Sequence, residues 1–133
     1  MKKLILTVVI ALSTMVVAIA QERVDVVSSK NFKQTVETLN KTIKSKGMMI
    51  VATVDHQNML KMVGTNIKGA TTIEFGKPDM GKMLFQMHPE AGLEMPARIY
   101  VFEKDGKVIM SYYKTNYAKY DKGMAEMDNM MGM

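Results

Sequence analysis

The sequence contains no cysteine and no tryptophan, and only two of its 133 residues are histidine. Without cysteine the chain cannot form disulfides, thiolate zinc sites or iron–sulfur clusters, and it has no cysteine nucleophile. Its glycines are not spaced as a phosphate-binding loop, and Ser111 has no nucleophile elbow around it. These absences leave little support for thiol, phosphate-loop or triad chemistry.

The first twenty residues predict an export signal. Two lysines precede an apolar run over residues 4–17, and Ala18-Ile19-Ala20 supplies the small-x-small pattern of a cleavage site. We expect cleavage after Ala20, a periplasmic or secreted mature protein, and no stable membrane insertion once the signal is removed. The alternative is an uncleaved anchor, for which residues 4–20 are close to the minimum spanning length.

The basic charge is partly a property of that signal. The whole chain carries a net charge of +5, which falls to +3 when the two lysines of residues 1–20 are left out. No basic stripe with interleaved aromatic residues is present, so we expect no nucleic-acid partner. The absence of cysteine suits an oxidising destination.

After the signal, strand patterns alternate with helix patterns. Asn31 and Gln34 resemble a capping box ahead of an apolar stripe, and Gly47 follows the last turn, which predicts a helix over residues 31–46. A hairpin is predicted over residues 97–113 with its turn at Lys104-Asp105-Gly106. The order predicts a single-domain α/β (α+β type) two-layer sandwich, with helices packed on a mixed four- to five-stranded sheet and a C-terminal β-hairpin.

Two segments carry specific packing expectations. Residues 48–54 are apolar on both alternations, which favours a strand covered on both faces. In residues 80–87, three methionines and Leu84 recur at helical spacing, which favours a stripe facing the core, with Asp79 as the N-terminal cap.

A series of motifs, spaced in order along the mature chain, resembles one family. The motifs are Val54-Asp55-His56, Phe75-Gly76-Lys77-Pro78, Gly92-Leu93-Glu94-Met95-Pro96, the Asp105-Gly106 turn and Ser111-Tyr112-Tyr113. Together they are similar to the domain of unknown function 302 family over about residues 25–123. The resemblance implies a small α/β fold, often exported, and a homodimer as the expected partner state. It implies no activity, and Lys77 stands where the family usually has Asn.

His56 is the first candidate for chemistry. Asp55 precedes it at a helix start, where an imidazole tends to stay neutral and available as a ligand or acceptor. We therefore predict a pocket for an unknown small ligand around the following residues: Asp55, His56, Phe75, Lys77, Pro78 and Arg98. The structural alternative is a partly buried histidine packed with Met59, Leu60 and Val63, and a weaker functional one is an enzyme with His56 as acid/base.

Methionine is the unusual abundance, with 16 in the chain. Five of them crowd the last ten residues, at Met124, Met127, Met130, Met131 and Met133. Thioethers suit Cu(I), so a soft-metal site with copper as cofactor is one hypothesis, with His88 or His56 assisting. The alternatives are a terminal helix that packs its methionines on the domain or a second subunit, and oxidation to sulfoxides. The same two hypotheses, a soft-metal site or packing on the core, apply to Met80, Met83, Met87 and His88.

The predicted organisation is thus a signal peptide over residues 1–20, a domain over residues 21–123 and a Met-rich tail over residues 124–133. The leading functional hypothesis is an exported binding or interaction module, more readily non-enzymatic than catalytic. The alternative is a periplasmic copper protein that uses the tail.

Overall fold

The structure is a computed structural model that describes residues 20–131, with the backbone alone for residue 131. Most of the predicted signal segment and Met133 lie outside the described residues. The strands are β1 (Arg23–Ser28), β2 (Met49–Asp55), β3 (Ala70–Gly76), β4 (Ala97–Lys104) and β5 (Lys107–Tyr113). The α-helices are α1 (Phe32–Ser45), α2 (His56–Met62), α3 (Pro78–Met87) and α4 (Ala125–Met131). Short 3₁₀ turns cover Pro89–Leu93, Tyr117–Lys119 and Lys122–Met124.

The five strands form one sheet in the order β1-β5-β4-β3-β2. The α/β sandwich is confirmed, but every strand pairing in the described residues is antiparallel, where a mixed sheet was expected. The β4–β5 hairpin is also confirmed. Asp105 and Gly106 form its turn with φ values of 51° and 74°, the left-handed conformation that a two-residue hairpin turn requires.

Helix α1 forms as its sequence predicts. The Asn31 side chain accepts a hydrogen bond from the Gln34 backbone N–H at 2.9 Å, which satisfies one of the free donors of the first turn. Gly47, with φ of 73°, follows the last turn. The apolar stripe of this helix lies on the sheet, where Ile43 is buried and Phe32, Val36 and Leu39 pack against the core.

The core lies between one face of the sheet and the helices. Cross-strand pairing places Ile73 opposite Ile99, and Val101 opposite Met110, so these side chains share a face. Leu84 of α3 and Met127 of α4 belong to the same buried cluster. Apart from the start of α2, no helix of the described chain packs along the other face, which we call the open face.

The predicted coverage of residues 48–54 on both sides is wrong. Strand β2 lies at the edge of the sheet, and its residues alternate between exposed and half-buried, with none fully buried. The predicted cap of α3 is also shifted. Lys77 occupies the N-cap, Pro78 follows it, and Asp79 lies in the first turn, because proline is preorganised for the first helical position.

Within residues 20–131, no helix is long and apolar enough to cross a membrane.

Candidate functional site

The six residues predicted to bind a ligand lie in three separate places. Asp55 caps α2 and accepts a hydrogen bond from the Asn58 backbone N–H at 2.9 Å. His56 and Arg98 lie on the open face, whereas Phe75, Lys77 and Pro78 line a groove beside α3. The Asp55-His56 motif follows β2 and the Phe75-Pro78 motif follows β3, which suggested a shared site. Because β2 and β3 are antiparallel, the two motifs lie at opposite ends of the strand pair.

His56 is held by contacts from the sheet rather than by its own helix. Its Nε2 lies 2.7 Å from Thr72 Oγ1, and its ring meets Tyr100 edge-on with 5.6 Å between ring centroids. Thr72 and Tyr100 are direct cross-strand partners on β3 and β4. The imidazole is half-buried, so it is oriented but still accessible. Thr72 and Tyr100 of the sheet are therefore among the residues that orient the imidazole.

A cleft of about 250 Å³ opens next to this histidine. Its lining includes Arg23, Thr72, Arg98, Tyr100, Phe102 and Ser111, and we call it the open-face cleft. The Tyr100 and Phe102 rings stack with centroids 4.8 Å apart. Arg98 is exposed and makes no hydrogen bond or ion pair with the described residues, although Glu74 is its cross-strand partner.

The far side of the cleft holds an organised polar group. Asp25 accepts hydrogen bonds from the Ser111 hydroxyl and, at 2.9 Å, from Arg23 Nε. These two donors, Ser111 first, hold the pKa of the Asp25 carboxyl below its usual value. Arg23 is thus paired, which leaves Arg98 as the available guanidinium of the cleft.

The groove beside α3 is larger and more apolar. It has a volume of about 390 Å³, and its lining includes Val51, Phe75, Lys77, Lys82, Phe85 and Met95. Phe75 forms part of its floor and is only 3% exposed, while Phe85 on its rim is 45% exposed. We call this cavity the α3 groove.

Helix α2 has no buried residue. Its apolar side chains are instead exposed, with exposed fractions of 79% for Met62, 74% for Val63 and 55% for Met59. Together they form a cluster of exposed apolar side chains. The stripe predicted to pack inward around His56 therefore faces outward.

The methionines of the tail are packed into the fold. Met124 and Met127 are 2% and 1% exposed, and Met130 packs against the core; the side chain of Met131 and all of Met133 lie outside the described part. In α3, Leu84 is buried and Met80 packs on the core, but Met83 and Met87 are each 52% exposed. A copper ion at Met124 or Met127 requires the core to open, so tail copper binding stays a prediction without structural support.

The tail is anchored by Asp128. Its carboxylate accepts hydrogen bonds from the backbone N–H groups of Tyr117, at 2.7 Å, and Ala118, at 2.9 Å. Tyr117 is fully buried, and burial, helped by the nearby carboxylates of Asp128 and Glu94, raises its pKa to about 12. The phenol therefore stays protonated and donates to the Glu94 backbone carbonyl at 3.2 Å.

Glu94 joins the loop before β4 to the same segment. Its side chain accepts hydrogen bonds from Tyr120, at 2.8 Å, and from Lys119. Burial alone raises the pKa of Glu94, but these two donors outweigh it and hold the pKa below its usual 4.5. His88 lies nearby, with its Nδ1 3.3 Å from Glu90 and its ring 5.7 Å from that of Tyr120.

Sequence reasoning missed the roles of Thr72, Tyr100, Asp128 and Glu94. A weak signal existed for Asp128, a carboxylate inside an otherwise methionine-rich helical pattern. Pairs such as Glu94 and Tyr120 are separated by 26 positions, and no periodicity joins them. Within the described residues, no group of three His, Cys, Asp or Glu side chains is placed to hold a metal ion.

Comparison with known families decides the identity of the domain. A family model described as domain of unknown function DUF302 matches residues 24–131. The chain belongs to the DUF302 family. The match extends to residue 131, so most of the Met-rich tail lies inside the DUF302 domain, as its buried methionines also indicate.

Other similarities are partial. A fluoride-specific ion channel from Brucella suis biovar 1 is 34% identical over 86 residues, which is 64% of this chain and 34% of that protein. A second such channel, from Brucella abortus biovar 1, is also 34% identical over 86 residues, and this match covers 32% of that protein. The chain thus spans about a third of the curated relatives it matches. A DUF302 protein of known structure from Bacillus stearothermophilus shares the fold, with a TM-score of 0.67, 14% identity, and coverage of 83% of this chain and 87% of that one.

Replacing Glu94 tests the anchoring of residues 117–120, the segment to which Asp128 holds the tail. The pKa of Glu94 is lowered in the folded protein, so its contribution to stability is present above about pH 4.5 and is lost as the pH falls through the lowered value. We expect Glu94→Gln to reduce the free energy of unfolding at pH 7 and to have a much smaller effect near pH 3. Urea unfolding followed by circular dichroism at both pH values measures this.

Glu37→Gln is the matched control, because Glu37 is an exposed carboxylate on α1 with no hydrogen bond or ion pair to the described residues. It should leave the free energy of unfolding unchanged at both pH values. An equal loss for Glu94→Gln at pH 7 and pH 3 would contradict an ionic anchor.

Proposed function

We propose that this DUF302 domain is an exported binding module and that its open-face cleft holds a planar organic anion. The observation that carries the proposal is the unpaired Arg98, which lines the same cleft as Thr72 and Tyr100. The half-buried His56 contacts both Thr72 and Tyr100 and so fixes that wall of the cleft. These groups lie on the open face, which within residues 20–131 is contacted at the start of α2 through His56.

The chemistry of the cleft fits such a ligand in two ways. Arg98 offers a planar fork of donors that matches a carboxylate, and no described residue occupies it. The stacked Tyr100 and Phe102 rings supply aromatic edges and outer faces against which a further ring can pack. A cleft of about 250 Å³ is slightly below the usual size of small-molecule sites, about 300–1,000 Å³, so the expected ligand is small.

The probe is 2-naphthoate, a fluorescent planar carboxylate, and its anisotropy is measured without tryptophan background because the chain has none. We expect 2-naphthoate to bind, and Arg98→Gln to weaken binding at least tenfold. A hydrogen bond to a charged group contributes about 1.5–3 kcal/mol, and ~1.4 kcal/mol corresponds to a factor of ten. His56→Ala should also weaken binding, since it removes the support of Tyr100.

Lys104→Gln is the matched control for Arg98→Gln. Lys104 is an exposed cation on the same strand and, by alternation, on the same face. It is the cross-strand partner of Lys107 at the hairpin turn, outside the cleft lining. It should leave the affinity unchanged. An equal loss of affinity in Arg98→Gln and Lys104→Gln would mean that only the net charge of the protein matters. The absence of any 2-naphthoate binding would contradict the proposal.

Export is supported by the charged and apolar pattern of residues 1–20 and by the small-x-small motif at its end. We expect expression of the full chain in a Gram-negative host to yield a periplasmic protein that begins at Gln21. Intact mass spectrometry of the periplasmic fraction measures this, and recovery of the uncleaved chain in the membrane fraction would support an anchor instead.

The same domain is proposed to work as a homodimer through α2. Four neighbouring apolar residues of this segment, Met59, Leu60, Met62 and Val63, are exposed, and burying them against a second copy is favourable by about 25 cal/mol per Å².

Sedimentation velocity tests the homodimer. We expect the wild-type protein to sediment as a dimer at high micromolar concentration and Met62→Lys to sediment as a monomer. Met83→Lys is the control, because Met83 is also an exposed methionine but lies on α3. A wild-type monomer, or a dimer that survives Met62→Lys, would contradict an α2 interface.

A further inference from the structure

We infer that the α3 groove is a second binding site, separate from the open-face cleft, and that it takes a monomeric amphipathic anion: a linear aliphatic chain with a carboxylate at one end. The groove is formed on the helix-covered side of the sheet, since Phe75 and Ala97 are cross-strand partners that both line it. Its ligand therefore cannot share contacts with the open face.

The apolar half of such a ligand has a built floor. Phe75, Ala97 and Met127 line the groove and are 3%, 7% and 1% exposed, so they form a packed surface that does not collapse when the groove is empty. Val51 and Phe85 stand on its rim and are 57% and 45% exposed. An aliphatic chain lying in the groove removes these exposed side chains from water, which is favourable at about 25 cal/mol per Å².

The charged half has a matching pair of cations. Lys77 and Lys82 are the charged residues of the groove lining, and no acidic side chain lines it. Neither lysine makes a hydrogen bond or ion pair with any described residue. The surface of the groove is almost wholly apolar, so the aliphatic stems of the two lysines form its wall and their ammonium groups stand at its rim. An apolar trough edged by two lysines complements an anion with an aliphatic tail, and disfavours a cation or a neutral sugar.

The size of the groove suits a single small molecule. Its volume of about 390 Å³ is within the range of small-molecule sites. Gly81 leaves room within it, because a Cβ at that position would lie 3.7 Å from Met95 Cε and 3.8 Å from Phe85 Cδ2. A larger side chain at residue 81 would therefore project into the space that the ligand occupies.

Isothermal titration with dodecanoate, below its micelle concentration, tests the site. We expect saturable binding with one molecule per chain, weakened at least tenfold in the double variant Lys77→Gln/Lys82→Gln. The double variant Lys33→Gln/Lys41→Gln on α1 is the control, because it removes the same charge from exposed positions away from the groove. It should bind dodecanoate like the wild-type protein, and 1-dodecanol should bind the wild-type protein more weakly than dodecanoate does.

Gly81→Leu gives an independent test of position. Leucine is a better helix former than glycine, so α3 should be retained, which circular dichroism and the melting temperature check. A folded Gly81→Leu protein that binds dodecanoate with wild-type affinity overturns the proposal. If Gly81→Leu does not fold, the comparison of Lys77→Gln/Lys82→Gln with Lys33→Gln/Lys41→Gln decides whether dodecanoate binds in the groove.

Three further results would overturn the groove site: no dodecanoate binding, equal weakening by both lysine pairs, or binding to phosphatidylglycerol vesicles with no binding of the monomer. The two sites are distinguished by crossing the variants. Arg98→Gln should leave dodecanoate affinity unchanged, and Lys77→Gln/Lys82→Gln should leave 2-naphthoate affinity unchanged. If 2-naphthoate does not bind but dodecanoate does, the proposed function of the open-face cleft is wrong and the groove site still stands.

Discussion

The constraint on which the rest of this structure depends is the one-sided burial of an antiparallel sheet. Side chains alternate along each strand, so burying Ile73 and Phe75 of β3 against the helices necessarily places Thr72 and Glu74 on the opposite face. The hairpin connection β4–β5 needs no crossover helix, and α1, α3 and α4 contribute side chains to the core on the buried side. The open face and its polar and aromatic side chains follow from this arrangement.

Closure of the helix-covered side depends on the end of the chain. Met124 and Met127 are buried in the core. The Asp128 carboxylate accepts hydrogen bonds from backbone N–H groups of the 3₁₀ turn at Tyr117–Lys119 and so holds that turn. Glu94 joins this segment to the loop before β4. Methionine suits this role because its flexible side chain fills irregular space. A segment that looks like an appended tail in the sequence is thus part of the folded domain.

Much of the fold followed from local pattern. The Asn31 cap, the α1 stripe, the Asp55 cap and the Asp105-Gly106 turn were all predictable, because each depends on residues within a few positions of one another. The errors concern neighbours in space. Residues 48–54 resembled a central strand, yet β2 is an edge strand, and the apolar stripe of α2 faces outward. Apolar periodicity identifies a face but does not say what covers it.

The candidate site shows the same division. The sequence by itself determined the family motifs, the lack of thiol chemistry and the positions of most elements, and a functional role for His56 stays a prediction. Only the tertiary structure decided that His56 meets Thr72 and Tyr100, that Arg98 lies near them, and that Lys77 belongs to a different cavity. The physical reason is that helix caps and turns are set by short-range hydrogen bonds. Which strand lies at an edge, and which side chains share a face, are set by the register of pairing between distant parts of the chain.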